Sequence, residues 1–516
     1  MVFEPNFTKV VSSVRKNLGI TQSVIELKLP TNEDVIDAVY SVSAKSTIKS
    51  SEVAGNEINF VGLVDFQAMF ESLGISALDY SAEFKDKYSS DTEILGEVVL
   101  SSNVVDVSSA IVSGGIKVVA IVEVTIDQIE SKDISVLTNV NSDDVYLSTK
   151  QIEFSSYLGM AYEKFDLTQE FQVSDAKKVL MVTPSACVTT VTPKDSFVNV
   201  SGILNVDVCY QMGDNNSDIK SDFHSFDFSW DVALAGITDM SYIQSQLSIV
   251  FNEIKVSTML EDDGAIINLY VPLVYTGYVF NKTTLDVVDD IYSKSNYMSI
   301  TTENFETLVG SPSVQFKDSI SGVASINETS PFIDEILGVC TNNIVLASSR
   351  VENGKLAIEG VANATVVYYT KETNGVTSVQ VEMPFSVEEK VEGLNSSVVT
   401  LCLSDVCARS KRGKEIEVSG NLSVYSDMYG DNEIGVVSGV VLGEEKPHDD
   451  CVLYIYIVKP NQTIWDVAKE MSVSVDLILS QNPDVNLPLV GGEKLVIYNP
   501  NILNMWQKDS LVFILD

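Results

Sequence analysis

A chain of 516 residues is too long for one ordinary hydrophobic core and calls for several domains. Hydrophobic residues make up 45% of it and charged residues 20%, which is enough apolar content to fold and too little charge for general disorder. The formal net charge of −39 argues against direct binding to nucleic acid or to an anionic membrane surface, both of which select basic faces.

The N-terminus, Met1-Val2-Phe3-Glu4-Pro5-Asn6, has neither the basic start nor the apolar core of a signal peptide, so the chain is expected to stay in the cytoplasm of the cell that makes it. Apolar runs such as Val118 to Val122 are broken by charge, here Glu123, far short of the roughly 18 residues needed to span a bilayer, and no membrane insertion is expected. The six cysteines, Cys187, Cys209, Cys340, Cys402, Cys407 and Cys451, lack the density and CxxC spacing of a disulfide or zinc framework. They are expected to be buried free thiols.

Going along the chain, one pattern occurs three times. An Asp after apolar residues is followed some 25 residues later by a Gly, and an aromatic residue stands eight positions beyond that Gly. The members are Asp37, Gly62 and Phe70; Asp175, Gly202 and Tyr210; and Asp334, Gly360 and Tyr368. Around each Gly, apolar β-branched residues alternate with polar ones, as in Val200, Ile203, Val206 and Val208, which is the period of a half-buried strand. A Gly inside such a strand marks a bulge or a close backbone approach. Each copy has a second half with a further strand after a Gly-bearing turn, beginning at Gly114-Gly115, Asp263-Gly264 and Arg412-Gly413. The spacing predicts three tandem β-rich domains over about 1–145, 146–297 and 298–446. No second acidic or basic group recurs with Asp37, Asp175 and Asp334, so a cap or turn role is expected for them in place of catalysis or metal binding.

The basic run Arg409-Ser410-Lys411-Arg412-Gly413-Lys414 reads either as a dock for an acidic partner or as a solvated hairpin loop before Glu415. Residues 443–450, with Pro447, read as a linker. The chain then changes character. Ile455 to Val458 is a short strand pattern, Thr463 with Asp466 is a helix start of the capping-box kind, and Ser474 caps a second helix that stops at Asn482-Pro483. A last strand covers Lys494 to Tyr498, giving a βααβ module over 452–500, followed by an apolar tail at 501–516.

The module, with Tyr456-Ile457-Val458-Lys459-Pro460, Thr463-Ile464-Trp465-Asp466-Val467-Ala468, Asn482-Pro483 and Gly491-Gly492-Glu493-Lys494-Leu495-Val496-Ile497, resembles a LysM domain. That resemblance implies a shallow groove for N-acetylglucosamine polymers, mapping to Asn461, Gln462, Thr463 and Ile464 on one side and Asn482, Pro483 and Asp484 on the other. The Gly-Asp usual before the Thr is Asn461-Gln462 here, which implies weak glycan binding. The repeats, through Leu29-Pro30, Ile36-Asp37, Val61-Gly62 and their later counterparts, are similar to the SPOCS domain of spore-coat-associated proteins of clostridia. Several such units ending in one LysM module is the architecture of a spore-coat morphogenetic family, in which the module is thought to bind the ATPase of the coat's basement layer.

Only His224 and His448 are available as histidines. His224 lies in an alternating aromatic strand with Phe226, Phe228 and Trp230, where a packed role is expected. No Ser-His-Asp order, nucleophile elbow or HExxH occurs, and no phosphate loop. The expectation is a non-enzymatic scaffold without cofactor or metal, placed at the forespore surface in the mother-cell cytoplasm. The competing expectation is a peptidoglycan- or chitin-binding protein using the groove. Within the module, Trp465 and Leu453 are the expected patch for the ATPase, unless Trp465 is a core residue sealing helix against strand.

Overall fold

The computed structural model describes residues 3–31, 35–213, 218–327, 331–373, 375–391, 394–447 and 453–498. The apolar tail at 501–516, His448 and Cys451 lie outside the described residues. The fold is mainly β, and the strand from Gly115 to Asn141 shows why. Ile116, Val118, Ala120, Val122, Val124 and Ile126 alternate with Lys117, Val119, Ile121, Glu123 and Thr125, and only the first series is fully buried. Such β-branched alternation fits a pleated surface with one covered face.

Strands β1 (Glu4–Leu29), β2 (Ala38–Ala54), β3 (Glu57–Glu71), β4 (Ile75–Ser89), β5 (Glu97–Val112) and β6 (Gly115–Asn141) make two antiparallel sheets. β3 is the middle of the β2–β3–β4 meander, and β6 lies between β1 and β5. One core joins the sheets, with Leu29, Ile58, Phe66, Val118 and Val122 inside it.

A second set follows: β7 (Val145–Ser174), β8 (Lys178–Lys194), β9 (Phe197–Gln211), β10 (Ile219–Ala233), β11 (Tyr242–Ile249), β12 (Lys255–Glu261) and β13 (Gly264–Ser293). β9 is the middle of its meander, and β13 lies between β7 on one side and β11 and β12 on the other.

The third set is β14 (Asn296–Gly310), β15 (Val314–Ser325), β16 (Glu335–Glu352), β17 (Lys355–Thr370), β18 (Gly375–Lys390), β19 (Ser396–Lys411) and β20 (Glu415–Glu445). Here β17 is the meander's middle, and β20 lies between β14 and β15 on one side and β19 on the other. The break between β14 and β15 falls at Ser311-Pro312-Ser313, where proline has no N–H to give a ladder. Glu445 ends β20, so Gly443 to Glu445, predicted as linker, are strand.

The recurring Gly and aromatic positions acquire a physical reason. Two bulges recur in the first strand of each meander, at Tyr40 and Lys49, at Leu180 and Thr189, and at Leu337 and Ala347, and β16 has a further one at Asn342. The second bulge sits beside Gly62, Gly202 or Gly360, and the first beside Phe70, Tyr210 or Tyr368. Across the other neighbour each Gly faces a phenylalanine: Phe84, Phe228 and Phe385. A Cβ there would stand 2.3 Å from the Phe84 ring, 2.3 Å from the Phe228 ring and 2.5 Å from the Phe385 ring. The ring lies over the bare backbone, and the missing side chain is what admits it.

Aspartate is less uniform. The N–H groups of Asp37 and Asp334 donate to the carbonyls of Glu71 and Tyr369, just after the aromatic position, at 2.9 and 3.0 Å. In the second set the same bond, 2.8 Å to Gln211, comes from Lys177. Asp175 instead adopts φ +59° and donates to Asp263, so it is not the counterpart of the other two.

The bulges turn Tyr40, Leu180 and Leu337 out of their meanders, and these side chains meet one another with Met69, Cys209 and Val367 in one cluster drawn from all three sets. Similar joint clusters hold Val136, Phe154, Val287, Phe305 and Val436, and Ile129, Phe280 and Tyr429. Hydrogen bonds close the ring. The Tyr157 N–H donates to Ser13 Oγ at 2.8 Å, the Ser155 N–H to Thr307 Oγ1 at 3.0 Å, and Ser12 Oγ to the Glu306 carbonyl at 2.9 Å.

The cysteine expectation needs correction. Cys187 on β8 and Cys402 on β19 form a disulfide between the second and third sets, with Cα atoms 6.1 Å apart across a sequence separation of 215. Cys209 and Cys340 are buried free thiols, and Cys407 is an exposed one. Local spacing carries no trace of a bridge that only the joining of two sets creates.

Gly202→Ala would place its Cβ 2.3 Å from both the Phe228 ring and the Cys187 carbonyl. We expect a loss of about 1–3 kcal/mol, as for an overpacked core, read from the denaturant midpoint. An unchanged midpoint would show that the ring moves aside without cost.

Candidate functional site

The C-terminal module consists of β21 (Leu453–Ile457), α1 (Ile464–Met471), α2 (Val475–Gln481) and β22 (Lys494–Tyr498). Thr463 caps α1 in a full capping box: its side chain accepts from the Asp466 N–H at 3.2 Å, and Asp466 accepts from the Thr463 N–H at 2.8 Å. Ser474 caps α2 through the Leu477 N–H at 3.1 Å. Val467, Ala468, Ile478, Leu495 and Ile497 are the buried centre. β21 and β22 pair antiparallel, Leu453 opposite Tyr498 and Ile457 opposite Lys494.

Much of the hydrogen-bonding capacity along the predicted groove is spent inside the module. Gln462 accepts from the Lys459 N–H at 2.9 Å and the Tyr456 hydroxyl at 3.0 Å, and donates to Glu470 at 3.0 Å. The Thr463 hydroxyl donates to Asp466 at 2.7 Å. Asn482 donates to the Ile478 and Val496 carbonyls and accepts from the Val496 N–H, all at 2.8 Å, tying the end of α2 to β22. Ile464 is half-buried in the module core, whereas Asn461, with φ +64°, Pro483 and Asp484 are exposed.

Trp465 is half-buried, and its setting is a contact with the second set. Its indole Nε1 donates to Asp290 Oδ2 at 2.8 Å, and its ring meets Tyr292 edge-on with centroids 5.0 Å apart. Lys469, one turn on, makes an ion pair with Asp290 at 2.7 Å. The Tyr292 hydroxyl donates to the Val473 carbonyl at 2.6 Å, Tyr146 packs alongside, and Lys446 donates to Ser472 Oγ at 2.7 Å. Leu453 has different surroundings and is exposed on β21. No local pattern marks Asp290, Tyr292 and Tyr146 as docking residues, because they become neighbours of α1 only when the ends of β7 and β13 are brought beside it.

Burial works against the charge of Asp290, but the bonds from Lys469 and Trp465 outweigh it and hold the carboxyl below its usual range. With the folded value depressed, its contribution to docking is present above the ordinary carboxylate value of about 4 and is lost as pH falls through the folded one.

Elsewhere the basic run is placed as the end of β19 and the following turn. Arg409 and Lys411 both pair with Glu417, whose carboxyl they hold below its usual range. His224 packs against the rings of Phe171 and Phe226. A cavity of about 770 Å³ opens where the three sets meet, with Lys45, Asp207, Thr341, Asn343 and Cys402 in its wall. Burial lowers the Lys45 pKa, and burial, opposed by Lys45, pushes the Asp207 carboxyl up to about 6.

Residues 333–406 match the family model described as SipL, SPOCS domain. The matched stretch contains β16, β17 and β18 and runs into β19, including Asp334, Gly360, Tyr368 and Phe385. No curated protein and no solved structure matches the chain.

Asp290→Ala removes the acceptor shared by Trp465 and Lys469. We expect module docking to weaken by about 1–2 kcal/mol, seen as amide exchange over 464–473 roughly tenfold faster. Unchanged exchange would mean that Tyr292 and Tyr146 hold the module without it.

Proposed function

We propose that this chain is a non-enzymatic assembly protein of sporulation, which links coat layers at the forespore surface from the mother-cell cytoplasm through protein contacts. The observation that carries the reading is the match of 333–406 to the SPOCS-domain model, on a strand arrangement whose bulges, glycine and covering phenylalanine recur at corresponding registers in the two earlier sets. On this reading 1–145, 146–297 and 298–446 are three SPOCS-like units, and 452–500 is a LysM module.

The module's partner in this reading is the spore-coat morphogenetic ATPase, a protein, met through Trp465 and Leu453. Sugar binding in the groove has less support, because Gln462, Thr463 and Asn482 already spend hydrogen bonds on Lys459, Asp466 and Val496. An N-acetylglucosamine polymer arriving there would have to break those bonds before making its own.

Capture from sporulating-cell extract tests the reading, with full-length bait, bait ended after residue 447, and Trp465→Glu checked for thermal stability. The full chain should retain the ATPase and the shortened one should not. Trp465→Glu should weaken capture by about 2 kcal/mol or more, roughly 30-fold in Kd. Equal capture by the shortened bait would remove the module from the partner interface. Calorimetry with a chitin oligomer should show weak binding or none, and micromolar binding would favour the sugar reading.

A further inference from the structure

Among the described residues β12 pairs with β13 alone, which leaves its other edge open. All seven of its side chains are exposed, with Val256, Met259 and Leu260 the large apolar ones. Its separation from β11 has a local cause. Pro272 on β13 accepts from the Val250 N–H at 3.0 Å but has no N–H to return, and there the chain leaves the ladder through a 3-10 turn at Phe251–Glu253 before rejoining at Lys255. Every second residue of β13 faces the same side as Pro272, so Lys255, Ser257, Met259 and Glu261 are committed to Tyr270, Asn268, Ile266 and Gly264. The N–H and C=O groups of Val256, Thr258 and Leu260 therefore point to the open edge. β5 and β19, which form the corresponding hairpins in the other sets, carry bulges at Val105 and at Asp405-Val406, and β19 bears Arg409 and Lys411 as well. Bulges and cationic side chains of this kind keep strand edges apart. β12 has no bulge and no charge between Val256 and Leu260.

We propose that this edge pairs with the same edge of a second copy of the chain, antiparallel about a two-fold axis at Thr258. The stretch Lys255-Val256-Ser257-Thr258-Met259-Leu260-Glu261 is complementary to itself in that register. Lys255 faces Glu261 of the partner subunit at both ends, Val256 faces Leu260 of the partner subunit, and Thr258 lies on the axis. The outward N–H and C=O groups of Val256, Thr258 and Leu260 are then all satisfied. The Lys–Glu pairs fall at non-hydrogen-bonded positions, where opposed Cα atoms are about 4.5 Å apart and side chains are closest. Moving the axis to Ser257 would set Glu261 against Glu253 of the partner subunit, and moving it to Met259 would run Lys255 into the turn at Asp262-Asp263. Charge thus selects the axis at Thr258. A seam of this length is small, and the net charge of −39 on each copy opposes it, so the pairing is reversible and depends on concentration. The inference does not rest on the coat reading.

Cross-linking of the full chain with a short bismaleimide tests this, in a background carrying Cys407→Ser and Cys451→Ser. Protein at about 100 μM is used at an ionic strength of about 0.15 M, where a Debye length of about 8 Å screens the repulsion between copies. Thr258→Cys should form covalent dimers about tenfold faster than the control Leu73→Cys, whose position is fully exposed, because pairing holds the two thiols at an effective concentration of the order of millimolar. Lys255→Cys should link to Glu261→Cys when the two are mixed but not to itself, since its own counterpart stands about 20 Å away along the seam. If Thr258→Cys disturbs β12, Val256→Cys mixed with Leu260→Cys should give the same result. Lys255→Glu should slow linking at position 258, and adding Glu261→Lys to it should restore the rate. Equal rates at positions 258 and 73 overturn the proposal and leave the edge to a strand of another protein. Self-linking of Lys255→Cys as fast as that of Thr258→Cys overturns it in favour of unspecific association.

Discussion

The architecture depends on the burial of bulged side chains. A three-stranded meander has two faces, and in each set the main core covers one of them. The bulges at Tyr40, Leu180 and Leu337 direct a large side chain out of the meander, to a cluster that only the three sets together complete. Water on those groups costs free energy in proportion to the apolar area left bare. Three sets closing on one another remove that cost together, and the ring of hydrogen bonds through Ser13, Thr307 and Glu306 follows the same geometry.

That closure explains what could and could not be seen in the linear sequence. Gly62, Gly202 and Gly360 stand out because a phenylalanine ring over the backbone leaves no room for a Cβ, so the requirement is written in residue identity. The Asp pattern breaks at Asp175 because the recurring element is a backbone N–H, which Lys177 supplies as well as any residue except proline. The phenylalanines across the sheet carry no such local mark, since their partnership with Gly depends on register. Helix caps in the module were legible because a Thr and an Asp three residues apart settle them locally. The bridge between Cys187 and Cys402 and the docking of Trp465 on Asp290 belong to the assembled molecule, and nothing within a window of neighbouring residues distinguishes those side chains from others of their kind.

The module and the three sets divide the work of presenting a surface. α1 is held through one carboxylate, two tyrosines and a lysine, a contact of mixed polar and aromatic character. Contacts of that kind orient a small domain without fusing it to its support. The polar side chains of Gln462, Thr463 and Asn482 stiffen the loops on which a groove would depend.

The pairing of strand ends has a consequence for synthesis. Glu4 pairs with Asn141, Val145 with Ser293 and Asn296 with Glu445, so each set is closed by its first and last strands. Contacts of such long sequence separation form slowly. At about 5–20 residues per second, a ribosome leaves β1 without its partner for several seconds to half a minute. The main core of the first set draws on that set alone, but Tyr40 and Met69 must wait for the later sets before their cluster is complete. A nascent chain of this design carries a growing apolar seam out of the ribosome, and its yield in the cell should depend on how well that seam is shielded until the last strand arrives.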